Sequence, residues 1–309
     1  MVTRVTTPGN YSAVLANLLS AQRSQMEAGD KVATRKNGQN LKDYAKSSEL
    51  LTAMRSVQTR LSVYEDQNQL LSDKLDTQDT GLNRVADAAQ AVRQLFSEAL
   101  ASGRADTLVE DVEGQLRNAV EGMNARYGGK YLFAGGQVDT RPVTVTSLAD
   151  LTAGPPIASF FQNDDFKVTA KLDEATTVTT GLLADDIGTA MLTAFQTFQS
   201  FNAGASGPLN GQLTQAQQTF LEGQLASWDT VRADVTQKAA YNGVNQRRLD
   251  TIAEDLKTRQ NTLAGMVGDI TDADMAEAAA QLQQAQLAVQ SAAYVFQSLQ
   301  DSSLINLLR

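Results

Sequence analysis

Residues 50–96, LLTAMRSVQTRLSVYEDQNQLLSDKLDTQDTGLNRVADAAQAVRQLF, decide the fold class. Leu50, Met54, Val57, Leu61, Tyr64, Leu71, Leu75, Leu82, Val85, Ala89, Val92 and Phe96 fall on a four-three alternation once Asn68 and Gln78 fill two polar slots. That is a heptad seam, the pattern of a helix that packs along a second helix. Arg60, Asp66, Asp73, Lys74 and Asp87 point away from it. At about 1.5 Å per residue such a helix runs on the order of 70 Å. Polar residues on a seam weaken it and fix its register.

The pattern breaks at Gly103, after which Asp106 is expected to cap a helix from Thr107 to about Asn124 that ends near Gly128-Gly129. Lys130 to Thr180 changes character. Tyr131-Leu132-Phe133, Val143-Thr144-Val145, Phe166–Thr169 and Thr176–Thr180 read as short strands between Gly-, Pro- and Asp-rich turns. Helical spacing returns near Asp185 and again from Leu213, with a break or bend expected at Asn242-Gly243. A second heptad runs through Leu249, Ile252, Leu256, Leu263, Met266 and Ile270, with Arg259 in one slot. The expected fold is mainly α: an elongated antiparallel coiled-coil rod with a small β-rich insert at its far end. The expected segments are 1–44 and 271–309 as terminal assembly helices, 45–129 and 185–270 as the two halves of the rod, and 130–184 as the insert.

The 309 residues include neither Cys nor His, which excludes thiol nucleophiles, disulfides, Cys/His zinc sites and imidazole catalysis. A formal net charge of −9 disfavours nucleic acid and anionic membrane surfaces as partners. The one basic stretch, Lys31, Arg35, Lys36, Lys42 and Lys46, reads as a solvated surface. No apolar run approaches the roughly 20 residues of a membrane helix, and the first residues carry no continuous apolar core of a cleavable signal.

Two terminal segments carry apolar faces with little in the chain to cover them. One is a helix from about Tyr11 to Ala28; the other runs through Met275, Ala279, Leu282, Val289, Ala293, Phe296 and Leu299 to an apolar end. Tyr11, Val14, Leu18, Met275, Leu282, Val289, Phe296, Leu304 and Leu307 are the expected assembly interface. The alternative is that the two helices close on each other and complete the monomer's own core. The acidic clusters Asn163-Asp164-Asp165 and Thr271–Asp274 fit a turn and a helix cap better than a calcium loop. Gly135-Gly136 lacks the spacing and the Lys of a phosphate loop. No catalytic, cofactor or metal residue is expected. A hydrolase insert using Asp164, Asp165, Asp173 or Glu174 and a membrane-inserting translocator are the readings of another class.

The plan of heptad arm, insert and heptad arm resembles bacterial flagellins and their hook-associated relatives. Asp269-Ile270-Thr271-Asp272-Ala273-Asp274-Met275 is similar to the family's start of the last helix, and Ser303–Arg309 to its Leu-rich tail. Asn124–Gly136, with Tyr131-Leu132-Phe133-Ala134-Gly135, followed by Thr140-Arg141-Pro142-Val143, is similar to the hook-associated branch, with Val143 where that branch has Phe. Residues 33–44 keep the family's basic character without its prolines. The resemblance implies a structural, non-enzymatic subunit of the bacterial flagellum, forming the junction ring between hook and filament, or alternatively a filament flagellin. It implies self-association, a neighbouring hook-associated protein and flagellin as partners, a cytosolic type III export chaperone, and an extracellular place reached without a cleavable signal.

Overall fold

The computed structural model describes the backbone of residues 7–153 and 156–307 and the side chains of residues 11–152 and 156–300. Seven α-helices lie among the described residues: α1 (Thr7–Thr34), α2 (Ser48–Ser102), α3 (Leu108–Met123), α4 (Leu148–Ala153), α5 (Ala184–Asn202), α6 (Gln215–Thr271) and α7 (Met275–Leu307). Two antiparallel hairpins complete the chain: β1 (Arg126–Tyr127) with β2 (Lys130–Tyr131), and β3 (Thr169–Lys171) with β4 (Thr177–Thr179). The five prolines stand at 8, 142, 155, 156 and 208, so residues 9–141 and 209–309 hold no helix breaker of that kind. The helices of 55 and 57 residues grow in those stretches. The expected break at Asn242-Gly243 does not occur: α6 passes through it, and Asn242 is buried with its amide donating to the Leu75 carbonyl at 2.9 Å. A buried partner on another helix outweighs the weak helix propensity of an Asn-Gly pair.

The chain divides into two compact units, one of Met1–Arg60 with Arg259–Arg309 and one of Leu61–Thr258. In the second, α2 and α6 run antiparallel. Leu75 and Leu249 share one small core, Asp76 accepts a bond from Gln246 at 2.8 Å, and Arg93 pairs with Asp229 at 2.7 Å. Of the seam read from Leu61 to Phe96, Leu61, Leu75, Leu82, Val85, Ala89, Val92 and Phe96 are buried, with Asn68 and Gln78 among them, while Tyr64 and Leu71 are half-buried. A larger core gathers α2, α3, α5 and α6 around Phe96, Phe133, Phe195, Phe198 and Trp228, all fully buried. Trp228 meets Phe195 edge-on at 4.9 Å, and Phe96 stacks on Phe198 at 5.4 Å. Helix α3 comes close enough to α2 that a side chain at Gly81 would meet the Gly122 carbonyl, and one at Gly122 the Gly81 carbonyl.

Helix α3 begins one residue later than expected. Asp106 does not cap it but pairs with Arg104 at 2.8 Å. Gly128 and Gly129 do not end the helix. They form the two-residue turn of the β1–β2 hairpin, both with positive φ (55° and 81°), as that turn type requires. The insert is less β-rich than its composition suggested: α4 and a 3-10 turn at Ile157–Phe160 occupy part of it, and Val143 forms only an isolated bridge with Phe161. Instead of projecting beyond the long helices, the β3–β4 hairpin lies back against them, with Leu172 and Val178 packed on Leu75 and Leu249.

In the first unit, Leu50 does not open the seam. It is 50% exposed, while its neighbour Leu51 is fully buried, so the seam starts one position later. Both are Leu, and only the surroundings distinguish them. Met266 of the second heptad is likewise exposed.

Candidate assembly interface

Helix α1 runs from Thr7 to Thr34, longer at both ends than its apolar spacing indicated. Arg35 stops it with a φ of 57°, the left-handed conformation common just past a helix end. Helix α7 opens at Asp274, whose carboxylate accepts from the backbone N–H of Ala276 (2.8 Å) and Glu277 (3.2 Å), the expected cap. The two helices pack antiparallel. The Tyr11 and Phe296 rings lie 5.0 Å apart, and Lys31 donates to Gln281 at 3.3 Å.

A latch joins the two chain passes at the base of this pair. Asn37 N–H donates to the Thr271 carbonyl (2.8 Å) and Ala273 N–H to the Arg35 carbonyl (2.9 Å), which makes a one-residue antiparallel bridge between Lys36 and Asp272. The Lys36 ammonium donates to the Asp272 carboxylate at 2.5 Å, and the Asn37 amide to the Asp272 carbonyl at 2.8 Å. The Lys36 hydrogen bond, helped by the Thr271 hydroxyl, holds the Asp272 carboxyl below its ordinary range. Part of the basic stretch therefore makes specific contacts, since Lys31 and Lys36 both have named partners.

The expected interface residues divide. Val14, Leu18, Leu282, Val289 and Phe296 are half-buried, at positions that share a helix face with the buried Ala28 on α1 and the buried Ala278 and Ala285 on α7. Tyr11 and Met275 are exposed at the edges of those faces. The side chains of Leu304 and Leu307 lie outside the described residues. Leu15, Leu19 and Met26 form a second apolar line on α1, about 100° around the helix from the first at 3.6 residues per turn. On α7, Leu287 and Tyr294 stand on the side opposite Ala278 and Ala285. Met26 is 72% exposed and Tyr294 74%. The adjacent pairs Val14-Leu15 and Leu18-Leu19 carry the signal: adjacent apolar residues widen the stripe beyond what one neighbouring helix covers.

Two of the four acids of the hydrolase reading build turns. Asp164 accepts from the N–H groups of Gly136 (2.7 Å) and Phe166 (3.0 Å), and Asp173 from those of Ala175 (2.8 Å) and Thr176 (2.5 Å). Among the described residues no three acidic side chains gather to hold a metal, and no helix is long and apolar enough to cross a membrane. Phe133, at the centre of the Tyr131–Gly136 motif, is a core anchor, its carbonyl accepting from Ala184 N–H at 2.9 Å.

Long helices that pair the two ends of the chain, an internally packed middle and apolar lines left open on the terminal pair define the class: a mainly helical structural subunit. The bacterial flagellin N-terminal helical region matches residues 5–137, and the bacterial flagellin C-terminal helical region matches residues 225–308. The chain belongs to the bacterial flagellin family, and it is a structural flagellar protein of that family. A search of curated proteins gives no match. Among solved structures, a Vibrio parahaemolyticus protein assigned as flagellar hook-associated is similar in fold, with a TM-score of 0.60 at 15% identity over 74% of this chain and 100% of that one. Bacillus cereus FlgL is similar with a TM-score of 0.53 at 13% identity, over 71% of this chain and 99% of that one.

Proposed function

We propose that this chain forms the junction ring between flagellar hook and filament by packing its terminal helix pair against copies of itself. The observation that carries the proposal is the doubled apolar surface of α1 and α7. One face of each closes the pair, while Leu15, Leu19, Met26, Leu287 and Tyr294 stay in water. In this account residues 1–44 and 271–309 assemble, 45–129 and 185–270 form the paired shaft, and 130–184 decorate it. Val14, Leu18, Leu282, Val289 and Phe296 shape the pair. Tyr11, Met275, Leu304 and Leu307 border the neighbouring copy. A hook-associated protein on one side and flagellin on the other complete the neighbourhood, reached by type III export with a cytosolic chaperone on the carboxy-terminal helix. The absence of Cys suits passage of an unfolded chain, with no bridge to reduce or re-form.

The Tyr131–Gly136 segment and the fold likeness to hook-associated proteins favour the junction over the filament. The match of the flagellin carboxy-terminal region, residues 225–308, favours the second reading, a filament flagellin. Incubating the purified chain at high concentration separates them. Short rings or capped oligomers support the junction, and long filaments overturn it. Leu19→Asp with Leu287→Asp is expected to abolish either assembly while helix content by circular dichroism stays unchanged. Assembly that survives both changes removes the terminal pair as the interface.

A further inference from the structure

Hairpin β3–β4 is held to the long helices in an unusual way. Asn68 of α2 donates its side-chain amide to the Leu172 carbonyl at 3.0 Å, and Gln78, ten residues further along α2, reaches the Thr180 carbonyl at 3.4 Å. From α6, Asn245 and Tyr241 both donate to the Thr179 carbonyl at 3.0 Å. Four side chains on two helices thus grip the backbone of one short hairpin. The apolar contribution beneath it is small: Leu75, Leu172, Val178 and Leu249 are the buried members of that core, with Leu71, Ala170 and Ile252 at its margin. The hairpin also has a defined neck, because the N–H groups of Thr180 and Gly181 both donate to the Val168 carbonyl at 2.9 Å.

This attachment has a weak preference for the closed state. Hydrogen bonds exchanged with water contribute little net free energy, and the apolar surface lost on lifting the hairpin is that of a few side chains. Two buried acceptors, Gln78 Oε1 and Asn242 Oδ1, have no hydrogen-bond partner among the described residues. Their burial penalises the closed state, and opening to water relieves it. The aromatic core around Phe96 and Trp228 holds one buried polar atom without such a partner, Trp228 Nε1, but it is built from a far larger apolar cluster and buries its largest side chains completely.

We infer that the β3–β4 hairpin is a releasable strap across the α2–α6 seam: it lifts about its neck at Val168 and Thr180 while the aromatic core stays folded. The seam beneath, residues 68–78 and 241–252, is then the part of this unit that yields first when neighbours bend it, in the sense that local opening draws on the least stable cooperative segment.

The absence of Cys from the chain allows a single reporter thiol. Val178→Cys places it on the strap's own inner face, packed against the helices, and Ala88→Cys in the aromatic core, both at buried positions. The position-178 thiol is expected to react with a thiol reagent at least tenfold faster than the position-88 thiol. Asn68→Ala with Asn245→Ala should accelerate position 178 by a further factor of about ten, the size of one or two net hydrogen bonds, and leave position 88 unchanged. Native-state hydrogen exchange on the unmodified full chain gives the same comparison without substitutions: peptides covering 167–181 should exchange well before those covering 187–198. Equal labelling rates, or equal protection of the two segments, would show the hairpin to be an integral part of the core and overturn the strap.

Discussion

The two units of this chain use apolar residues in opposite ways. In the middle of the sequence, residues 61–258, Trp228, Phe96, Phe133, Phe195 and Phe198 are fully buried. In the unit formed by the chain's two ends, α1 and α7 bury Ala28, Ala278 and Ala285, while Leu19, Met26, Leu287 and Tyr294 stand in water. Alanines lie deepest between the two helices, Val14, Leu18, Leu282, Val289 and Phe296 are half-buried around them, and a second apolar face stays exposed. The contrast teaches how differently the two units dispose their large apolar side chains: the middle unit encloses them, and the terminal unit leaves several of them exposed.

The sharpest way to break that contrast is to remove one large aromatic from each side. Trp228→Ala is expected to cost about 3–5 kcal/mol in urea unfolding, the range for emptying a core aromatic site. Tyr294→Ala should stay within about 0.5 kcal/mol in the monomer, as exposed substitutions do. Comparable losses would erase the distinction. A finer cut falls within two adjacent residues of α2. Leu51→Ala should destabilise by about 2–5 kcal/mol, and Leu50→Ala by less than about 0.5 kcal/mol, readable by thermal melts. Equal effects would return the seam to the register first read from the sequence.

The smallest effect separates two carboxylates. Asp150 accepts from the Thr146 hydroxyl (2.7 Å) and the N–H groups of Thr146 (2.9 Å) and Ser147 (3.0 Å), which lower its pKa to about 2. Asp272 is lowered by its Lys36 hydrogen bond. A carboxylate whose pKa is depressed by folding stabilises the fold above its unfolded value, near 4, and loses that contribution as pH falls through the folded one. Carboxyl titration followed by NMR should therefore place Asp150 near pH 2. Lys36→Met should move Asp272 upward and leave Asp150 in place. An Asp150 midpoint at the ordinary carboxylate value would remove the cap at the start of α4.

Heptad spacing was enough to read α2, the 249–270 part of α6 and their antiparallel pairing, because a periodic apolar line has one efficient way to be buried. The cap at Asp274 was readable for a local reason: its carboxylate reaches N–H groups two and three residues away. The burial of Asn68 and Gln78 followed from register alone, but their partners did not. Leu172 and Thr180 lie 104 and 102 residues further along the chain. The same limit hid the continuity of α6 through Asn242, whose partner Leu75 is 167 residues away. At the candidate interface, the amphipathic character of both ends was visible, while the division of labour between their two faces was not.

By itself, then, the amino-acid sequence determined what spacing and local chemistry encode: a mainly helical chain, two heptad arms, the capped start of the last helix, and the motifs of the flagellin family. Only the tertiary structure decided which Leu of Leu50-Leu51 is inside, that the insert lies back along the helices, and that α1 and α7 close on each other while leaving a second apolar face open. Periodicity identifies a face, but a face is covered or open according to what the distant parts of the chain bring to it.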